Sequence, residues 1–408
     1  MPHDWIHEVM EDEFYRIKRL PPYVIAEVNA MRHAARQAGR DIIDLGMGNP
    51  DLPPPQHVID KLCEVAQKPD AHGYSQSKGI PGLRKAQANY YARRFGVELD
   101  PEREVVVTMG SKEGLASMAT AMTAPGDVVL APNPSYPIHT FGFIIAGATI
   151  RSIPTTPDEH YWKSLDRAMV FTVPRPSVLI VNFPSNPTAE VVDLAFYERL
   201  VSWAKENKVW VLSDLAYSEL YYDGEPTPSI LQAKGAKDVA VEFTSMSKTF
   251  SMAGWRMGFA VGNQKLISAL TRVKSYLDYG AFTPIQAAAC AALNGPQDIV
   301  EKNRELYLKR RDVMVEAFGR AGWDIPPPKA SMFAWAPLPP ALKEMGSLEF
   351  SKQLLTHAEV AVAPGVGYGE DGEGFVRLAL VENEQRIRQA ARNVKRYLNS
   401  MGVNSSAA

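Results

Sequence analysis

The chain has 408 residues, 46% of them hydrophobic, and this length allows roughly two to four domains with large buried cores. Its formal net charge of −2 gives no broad positive field for binding nucleic acid or an anionic membrane. Because the N-terminus lacks a signal-peptide pattern and no apolar run could span a bilayer, we expect a cytoplasmic protein with neither nucleic-acid nor membrane partners.

The cysteines and the basic residues give weaker signals. Only two cysteines occur, Cys63 and Cys290, and each lies in an apolar helical pattern. We therefore expect buried, reduced thiols, with neither a disulfide nor a metal site. The basic run at residues 309–311 is expected to form a solvated face of a helix.

Short apolar runs alternate with helical patterns along most of the chain. The predicted strands are residues 104–108, 128–131, 177–182, 209–213, 239–244 and 258–261. Continuous apolar strands separated by helices predict an α/β domain with a largely parallel sheet covered on both faces. The functional groups of such a sheet gather beyond the carboxyl ends of its strands.

From about residue 300 the pattern changes. A long charged helix is predicted over residues 300–318, followed by the apolar segment 332–335 and a final segment from Ser347. This order of elements predicts a second, smaller α+β domain.

A candidate phosphate site follows the first predicted strand. Residues 109–114 include two glycines, Ser111 and Lys112, and they open a helical run over residues 115–122. The free N–H groups and positive dipole end of that helix would hold phosphate, and Ser111 and Lys112 would add donors. The spacing is not that of a P-loop, and Ser111 could alternatively serve only as a helix N-cap.

Two later strands are each followed by a side chain that could contact a flat ring. Tyr136, after the strand at 128–131, could stack on such a ring or simply pack on the core. Asn186, after the strand at 177–182, lies in an Asn-Pro pair, which is also a common turn signal. Tyr136 and Asn186 indicate a ring-binding site only in combination with the other candidate site residues.

The strand at 209–213 leads directly to Asp214, and Tyr217 follows three residues later. A carboxylate at the end of a buried strand is costly unless it is paired. A protonated pyridine nitrogen would be such a partner, and Tyr217 could bond a phenolic oxygen on the same ring. The alternative role for Asp214 is that of a helix N-cap.

The most informative stretch is residues 244–258, which sets Lys248 among small hydroxyl residues, with Arg256 eight positions later. Ser245, Ser247 and Arg256 would supply the donors and positive charge that a doubly negative phosphate requires. This pattern predicts that Lys248 carries pyridoxal 5′-phosphate as a Schiff base. Without the other motifs, an ordinary exposed loop lysine would be the alternative.

In combination and in this order, the motifs resemble those of the fold type I, class I/II pyridoxal-phosphate aminotransferases. The resemblance extends from the run at 44–51 to the run at 375–379, which is nearly the whole chain. It implies a large domain over residues 51–295 with a mostly parallel seven-stranded sheet, and a small α+β domain over residues 296–408. Residues 1–50 would form an N-terminal segment that joins the small domain.

The resemblance also implies a role for each residue that would bind the cofactor, pyridoxal 5′-phosphate. Lys248 would form the Schiff base, Asp214 would bond the pyridine nitrogen, and Tyr136 would stack on the ring. Tyr217 and Asn186 would bond the ring hydroxyl. The expected phosphate ligands are Ser111, Lys112, Ser245, Ser247 and Arg256.

The substrates, amino acids and 2-oxo acids, would bind beside the cofactor in a homodimer with shared active sites. Arg377 resembles the arginine that takes the substrate α-carboxylate in a bidentate pair, with Gly48 and Asn186 near the same group. Tyr74 resembles the tyrosine that family members contribute across the dimer interface. Tyr23 is the best match to an N-terminal tyrosine that reaches the substrate.

Several motifs are most similar to those of bacterial glutamate-pyruvate (alanine) aminotransferases, followed by the LL-diaminopimelate aminotransferases. We therefore predict ping-pong transfer of an amino group between L-alanine and 2-oxoglutarate, with an LL-diaminopimelate, aspartate or aromatic aminotransferase as the alternative. Ala189 and Leu215 depart from the residues common in the wider family, which concerns the substrate rather than the chemistry. Lys78 is a candidate for binding the distal carboxylate of glutamate, although a solvated loop lysine would look the same.

Other classes of protein share parts of this pattern. The same fold and lysine serve carbon–sulfur lyases, which would release pyruvate and ammonia from cysteine or cystathionine. A pyridoxal-sensing regulator is disfavoured because neither end of the chain carries a basic DNA-binding segment. The glycine cluster at 365–369 could suggest a dinucleotide enzyme, but it lacks the fingerprint spacing and better fits a flexible or closely packed loop near the site.

Overall fold

The computed structural model describes residues 14–21 and 24–403. Its first elements are the helices α1 (Tyr15–Lys18) and α2 (Val24–Gln37) and the short strand β1 (Ile43–Asp44). The prediction for Tyr23 lies outside the described residues. Of the helices in these two ranges, none has the length and apolar character needed to cross a membrane.

A seven-stranded sheet forms the centre of the larger part of the fold. Its strands are β2 (Val105–Thr108), β3 (Val128–Asn133), β4 (Thr149–Pro154), β5 (Val178–Asn182), β6 (Trp210–Asp214), β7 (Ala240–Ser245) and β8 (Gly258–Gly262). Their order across the sheet is β2-β8-β7-β6-β5-β3-β4. Strand β8 runs antiparallel to both of its neighbours, and the other pairs are parallel. The prediction of a mostly parallel sheet is therefore confirmed.

Helices cover both faces of this sheet. The helices that follow α2 are α3 (Gln56–Ala66), α4 (Pro81–Phe95), α5 (Ser111–Met122), α6 (Ile138–Ala146), α7 (Glu159–Phe171), α8 (Leu194–Asn207), α9 (Met246–Thr249), α10 (Gln264–Leu277), α11 (Thr283–Asn294), α12 (Asp298–Gly319), α13 (Ser347–Gln353) and α14 (Glu384–Ser400). Val105 and Val107 of β2 share a buried cluster with residues of α4, α7, α8 and α11, whereas Val106 belongs to a cluster with α5, α6 and α10. This alternation follows from the two-residue period of a strand.

The C-terminal part contains two small sheets and a hydrophobic core of its own. Its strands are β9 (Phe333–Pro337), β10 (Val360–Ala361), β11 (Ala363–Pro364) and β12 (Phe375–Ala379). Strand β12 lies between β11 and β9, antiparallel to both, and β10 pairs in parallel with β1. Ile43 and Leu45 pack in this core with Phe318 of α12 and Ile387 of α14. The expected smaller α+β part is thus present.

The sequence patterns located six of the seven sheet strands to within two residues at each end, but they did not predict β4. This strand lies at the edge of the sheet, and of its residues only Ile153 is fully buried. An edge strand needs no continuous apolar run, because one of its sides faces solvent.

The interpretation of residues 309–311 as a solvated helix face is wrong. Lys309 is exposed, but Arg310 and Arg311 of α12 are buried. Arg310 donates to both carboxylate oxygens of Asp51, at 2.8 and 2.7 Å, and Arg311 binds both oxygens of Asp223. These carboxylates lie 259 and 88 positions away in the chain, so the basic run by itself gave no sign of them.

The two cysteines also differ in part from expectation. Both are free, but Cys63 is exposed and Cys290 is half-buried. The prediction of two buried thiols is therefore wrong for Cys63, which α3 turns towards solvent. Burial raises the pKa of the Cys290 thiol to about 11, so this side chain behaves as a small apolar group at neutral pH.

Candidate active site

A cavity of about 520 Å³ lies at the carboxyl ends of the parallel strands. Asn182, Asp214 and Ser245, the last residues of β5, β6 and β7, all line it. The cavity is also lined by most of the residues that the sequence singled out: Gly48, Ser111, Lys112, Tyr136, Asn186, Asp214, Tyr217, Ser245, Ser247, Lys248, Arg256 and Arg377. Residues spread over more than 300 positions of the chain therefore meet at the edge where an α/β sheet places its functional groups.

Lys248 lies on the one-turn helix α9, directly after β7. The Ser245 hydroxyl caps that turn by accepting a hydrogen bond from the N–H of Ser247, at 3.1 Å. The Lys248 ammonium donates to the carbonyl oxygen of Gly48, at 2.6 Å. Burial, and then the positive charges of Arg377 and Arg256, lower the pKa of Lys248 to about 8. A substantial fraction of this amine is therefore neutral, and so nucleophilic, near physiological pH.

Asp214 is buried at the end of β6, and its two carboxylate oxygens differ in their surroundings. Oδ2 lies 2.9 Å from Nε2 of His139, whereas Oδ1 has no partner among the described residues. The residue does not cap a helix, so the alternative role as an N-cap is wrong. A buried acceptor without a partner calls for a donor from a ligand, and a protonated ring nitrogen is such a donor.

No sequence motif singled out His139. This residue is fully buried in the first turn of α6, and its ring lies edge-on to that of Tyr136, with 6.0 Å between the centroids. His139 follows the candidate ring-binding residue Tyr136 by three positions, and it lies at the start of α6. That spacing, next to a candidate ring-binding tyrosine, was the signal that could have pointed to His139.

The start of α5 forms a cradle with Arg256. Gly110 is the N-cap, with φ of +82°, and Ser111 is the first helical residue. The alternative that Ser111 serves only as an N-cap is therefore wrong. A Cβ atom at Gly110 would lie 2.3 Å from Nη2 of Arg256, so only glycine allows the guanidinium to lie against the helix N-terminus. Free N–H groups and a guanidinium together suit a phosphate group.

Arg377 lies on β12, in the C-terminal part of the chain, and it lines the same cavity as the phosphate cradle. Its Nη1 donates to Oδ1 of Asn186 at 2.9 Å, and its Nη2 donates to the carbonyl of Gly46 at 2.7 Å. The guanidinium carbon lies 3.9 Å from the ring centroid of Phe333 and 5.0 Å from that of Tyr368. Flat aromatic contacts and two polar partners fix the plane of a group that binds carboxylates in a fork.

Phe333 and Tyr368 both line the cavity, and no sequence motif had indicated a role for either of them. Tyr368 belongs to the glycine cluster at 365–369, where a Cβ atom at Gly365 would lie 2.0 Å from the carbonyl oxygen of Gly372. The cluster is therefore a closely packed segment beside the site, and it does not form the strand-to-helix turn of a dinucleotide site.

Tyr74 and Lys78 do not line the cavity in the described part of the chain. Tyr74 is 89% exposed, and its ring lies against that of Tyr279, with 4.7 Å between the centroids. Lys78 donates to the backbone carbonyl of Glu102, and its Nζ lies 3.5 Å from the carboxylate of the same residue. These contacts hold Lys78 outside the cavity of its own chain, so they give no support to a role for it in binding the distal carboxylate of glutamate.

Comparison with known proteins agrees with this geometry. Residues 40–394 match the family model "Aminotransferase class I and II". The chain is 53% identical over 393 residues to the glutamate-pyruvate aminotransferase AlaC of Escherichia coli (strain K12), covering 96% of this chain and 95% of that protein. It is 42% identical over 386 residues to an LL-diaminopimelate aminotransferase of Moorella thermoacetica, covering 95% and 98%. The substrate-bound BacF structure from Bacillus subtilis superposes with a TM-score of 0.87 at 34% identity, covering 95% and 98%.

The fold and the family match together define a fold type I enzyme that depends on pyridoxal 5′-phosphate. The chain belongs to the class I and II aminotransferases, and it transfers amino groups between amino acids and 2-oxo acids. The described residues fit this cofactor, because Oδ1 of Asp214 lacks a partner and the Gly110–Arg256 contact leaves a polar cradle at a helix N-terminus.

Proposed function

We propose that the protein exchanges an amino group between L-alanine and 2-oxoglutarate, giving pyruvate and L-glutamate. The 53% identity to AlaC over nearly the full length of both chains supports this choice of substrates. The observation that carries the proposal is the meeting of Lys248 and Arg377 in one cavity. One supplies an amine whose pKa is lowered to about 8, and the other supplies a rigidly held fork for a carboxylate.

The proposed cofactor contacts follow from where each side chain lies. Asp214 would accept from the ring nitrogen through Oδ1, and Tyr136 would stack on the ring. Burial raises the pKa of Tyr217 well above its ordinary value, so its phenol stays protonated and can donate to the ring hydroxyl, with Asn186 beside it. The proposed phosphate ligands are Ser111, Lys112, Ser245, Ser247 and Arg256.

In this proposal Lys248 has two tasks: it anchors the cofactor and, once freed, moves a proton. When bound, pyridoxal 5′-phosphate supplies an electron sink for the charge left on the substrate carbon. Lys248 Nζ removes the α-proton and later returns it, and a pKa of about 8 suits a group that must act as base and acid near neutral pH. The carbonyl of Gly48 accepts from Lys248 Nζ at 2.6 Å, so it can hold this amine once the lysine is freed.

Arg377 is proposed to bind the α-carboxylate of both substrates. A guanidinium has five N–H donors, and two of the Arg377 nitrogens already bond Asn186 and Gly46, so the side chain keeps further donors for a ligand. Phe333 lies on one of its faces and Tyr368 lies nearby, so the fork cannot swing out of the cavity. The backbone of Gly48 lies close to the guanidinium of Arg377, and the absence of a side chain at Gly48 leaves room there.

We further propose a homodimer in which Tyr74 reaches the active site of the partner subunit. The support is a set of exposed aromatic side chains, Tyr74, Tyr276, Tyr279 and Phe282, of which Tyr74 and Tyr279 are in ring contact, on a protein whose other large aromatics are mostly buried. Mixing two inactive variants, Lys248→Ala and Tyr74→Ala, tests it: a hybrid dimer would regain one intact site, and the mixture would recover about a quarter of the wild-type activity. Recovery of no activity would contradict sharing of Tyr74.

The division of the chain also belongs to this proposal. We propose a large domain over residues 51–295 and a small domain over residues 296–408, with residues 1–50 joining the small domain. The pairing of β1 with β10, and the packing of Ile43 and Leu45 in the C-terminal core, support this boundary. The cytoplasmic location remains a prediction from the sequence.

The deciding experiment separates the two half-reactions. The purified holoenzyme would be given L-alanine alone, then 2-oxoglutarate alone, while its absorption spectrum and the released products are followed. We expect alanine to change the spectrum and release one equivalent of pyruvate per cofactor, without ammonia. 2-Oxoglutarate should then restore the spectrum and yield one equivalent of glutamate.

Other outcomes would redirect the proposal in specific ways. A spectral response to LL-diaminopimelate, aspartate or an aromatic amino acid, with none to alanine, would keep the aminotransferase and overturn the substrate. Continuous release of pyruvate and ammonia from cystathionine would indicate a carbon–sulfur lyase. The variant Lys248→Ala is the matched control, and it should release no keto acid, glutamate or ammonia with any of these compounds while keeping its fold.

A further inference from the structure

Lys274 of α10 is a fully buried lysine outside the cavity. Its ammonium lies 3.1 and 3.2 Å from the two carboxylate oxygens of Glu113 and 2.8 Å from Oδ2 of Asp278. Burying a charge costs free energy unless the charge is paired, and this ammonium donates hydrogen bonds to two carboxylates. Such a buried ion cluster indicates a specific role for Lys274.

Glu113, one of the two partners of Lys274, lies in the first turn of α5. Its carboxylate accepts from the N–H of Met109 at 2.9 Å and from the hydroxyl of Ser117 at 2.7 Å. It therefore fixes the backbone that leads into Gly110 and Ser111. The same carboxylate, however, puts a negative charge at the helix N-terminus where a doubly negative phosphate is proposed to bind, and like charges at short range repel.

We propose that Lys274 is a positioning residue for the cofactor phosphate: its ammonium offsets the charge of Glu113, so that Glu113 can order the phosphate loop with less repulsion of the phosphate. The inference rests on the proposed phosphate site at Ser111 and Arg256. Lys274 acts through Glu113 and contacts neither the substrate nor the cavity.

Asp278 is the second partner of Lys274, and it belongs to a different part of the structure. Its Oδ1 accepts from the N–H of Gly280 at 2.7 Å, and its backbone carbonyl accepts from the hydroxyl of Ser77. These contacts hold the segment that carries Tyr74 and do not reach the phosphate loop. Asp278 is therefore a matched control, because its carboxylate pairs with the same ammonium but makes no hydrogen bond to the phosphate loop.

The test compares four full-length proteins in their cofactor-free form: wild type, Lys274→Met, Lys274→Met with Glu113→Gln, and Lys274→Met with Asp278→Asn. The dissociation constant is measured for pyridoxal 5′-phosphate and for pyridoxal, which lacks the phosphate. Their ratio isolates the phosphate contribution from general damage to the fold. The thermal unfolding midpoint of each cofactor-free protein reports on stability separately.

We expect Lys274→Met to reduce the preference for pyridoxal 5′-phosphate over pyridoxal by roughly tenfold or more, because Glu113 is left as an uncompensated charge. Adding Glu113→Gln should restore the preference, since the amide oxygen can still accept from Met109 without carrying a charge. Adding Asp278→Asn should raise the unfolding midpoint but leave the preference low. At saturating cofactor, kcat should stay near the wild-type value in all four proteins.

Two results would overturn the inference. One is an unchanged preference in Lys274→Met, which would make the lysine a purely structural residue. The other is rescue by Asp278→Asn as complete as that by Glu113→Gln. If Lys274→Met does not fold, the single variant Glu113→Gln decides: the proposal requires an equal or greater preference for the phosphate form, and a tenfold loss contradicts it.

Failure of the proposed phosphate site itself would look different. In that case wild type would show no preference for pyridoxal 5′-phosphate over pyridoxal, and Arg256→Ala would change nothing. A clear wild-type preference that Arg256→Ala weakens, together with an unaffected Lys274→Met, would reject only the role of Lys274.

Discussion

Nε2 of His139 lies 2.9 Å from Oδ2 of Asp214, and both side chains are buried. The second oxygen of Asp214, Oδ1, has no partner among the described residues, and Asp214 is one of the residues that line the cavity. His139 therefore occupies one oxygen and sets the direction of the other. A carboxylate whose plane is already fixed can accept a hydrogen bond from a ring nitrogen without first losing rotational freedom.

Replacing His139 by leucine should weaken catalysis by removing this constraint. Loss of one hydrogen bond to a buried charged group costs about 1.5 to 3 kcal/mol, which corresponds to roughly a 10- to 150-fold fall in kcat/KM. The measurement is steady-state kinetics with alanine and 2-oxoglutarate at saturating cofactor. His139→Asn keeps a donor and should lose less, and a change at the exposed His160 should have no effect. Wild-type kinetics in His139→Leu would contradict this role.

The lowered pKa of Lys248 leads to a prediction about how the rate of cofactor attachment depends on pH. Burial and two neighbouring arginines lower that pKa to about 8, from an ordinary value near 10.5. Only the neutral amine reacts with an aldehyde, so attachment of pyridoxal 5′-phosphate to the cofactor-free protein should speed up as the pH rises through about 8. Arg377→Met removes one positive neighbour and should move the midpoint upwards. A midpoint near 10 in wild type, or no shift in Arg377→Met, would contradict the stated cause.

Arg377→Ala tests the carboxylate site. Removing one partner of a buried charged pair costs about 2 to 5 kcal/mol, so kcat/KM for alanine should fall roughly 30- to 5000-fold. Arg377→Lys keeps the charge but loses the planar fork, and it should recover only part of the loss. The binding of pyridoxal 5′-phosphate should change far less than the reaction with alanine. Near-normal efficiency in Arg377→Ala would move the carboxylate site elsewhere.

The sequence could locate Lys248 and Asp214 because each lies at the end of a buried strand, where the pattern is local. It could not locate His139 or Phe333 with the same reasoning, since their importance comes from contacts with residues 75 and 44 positions away. The same limit explains why Arg310 was interpreted as a solvated residue: its charge is paired with a carboxylate 259 positions earlier. Strand patterns predict the position of a residue in the fold, but the partners of its side chain depend on tertiary packing between distant parts of the chain.

Gly48 gives a steric prediction about the substrate site. A Cβ atom at this position would lie 2.5 Å from Cζ of Phe333, whose ring centroid is 3.9 Å from the guanidinium carbon of Arg377. Gly48→Ala must therefore displace Phe333 and with it the face that supports Arg377, at a cost of about 1 to 3 kcal/mol. We expect KM for alanine to rise roughly 5- to 150-fold, with a smaller change in cofactor affinity. Gly319→Ala is the matched control, because a Cβ atom there meets only Oδ1 of Asp324, at an ordinary 3.6 Å, and its kinetics should equal those of wild type. An unchanged KM in Gly48→Ala would mean that Phe333 can move without disturbing Arg377, and it would remove the ring from the account of carboxylate binding.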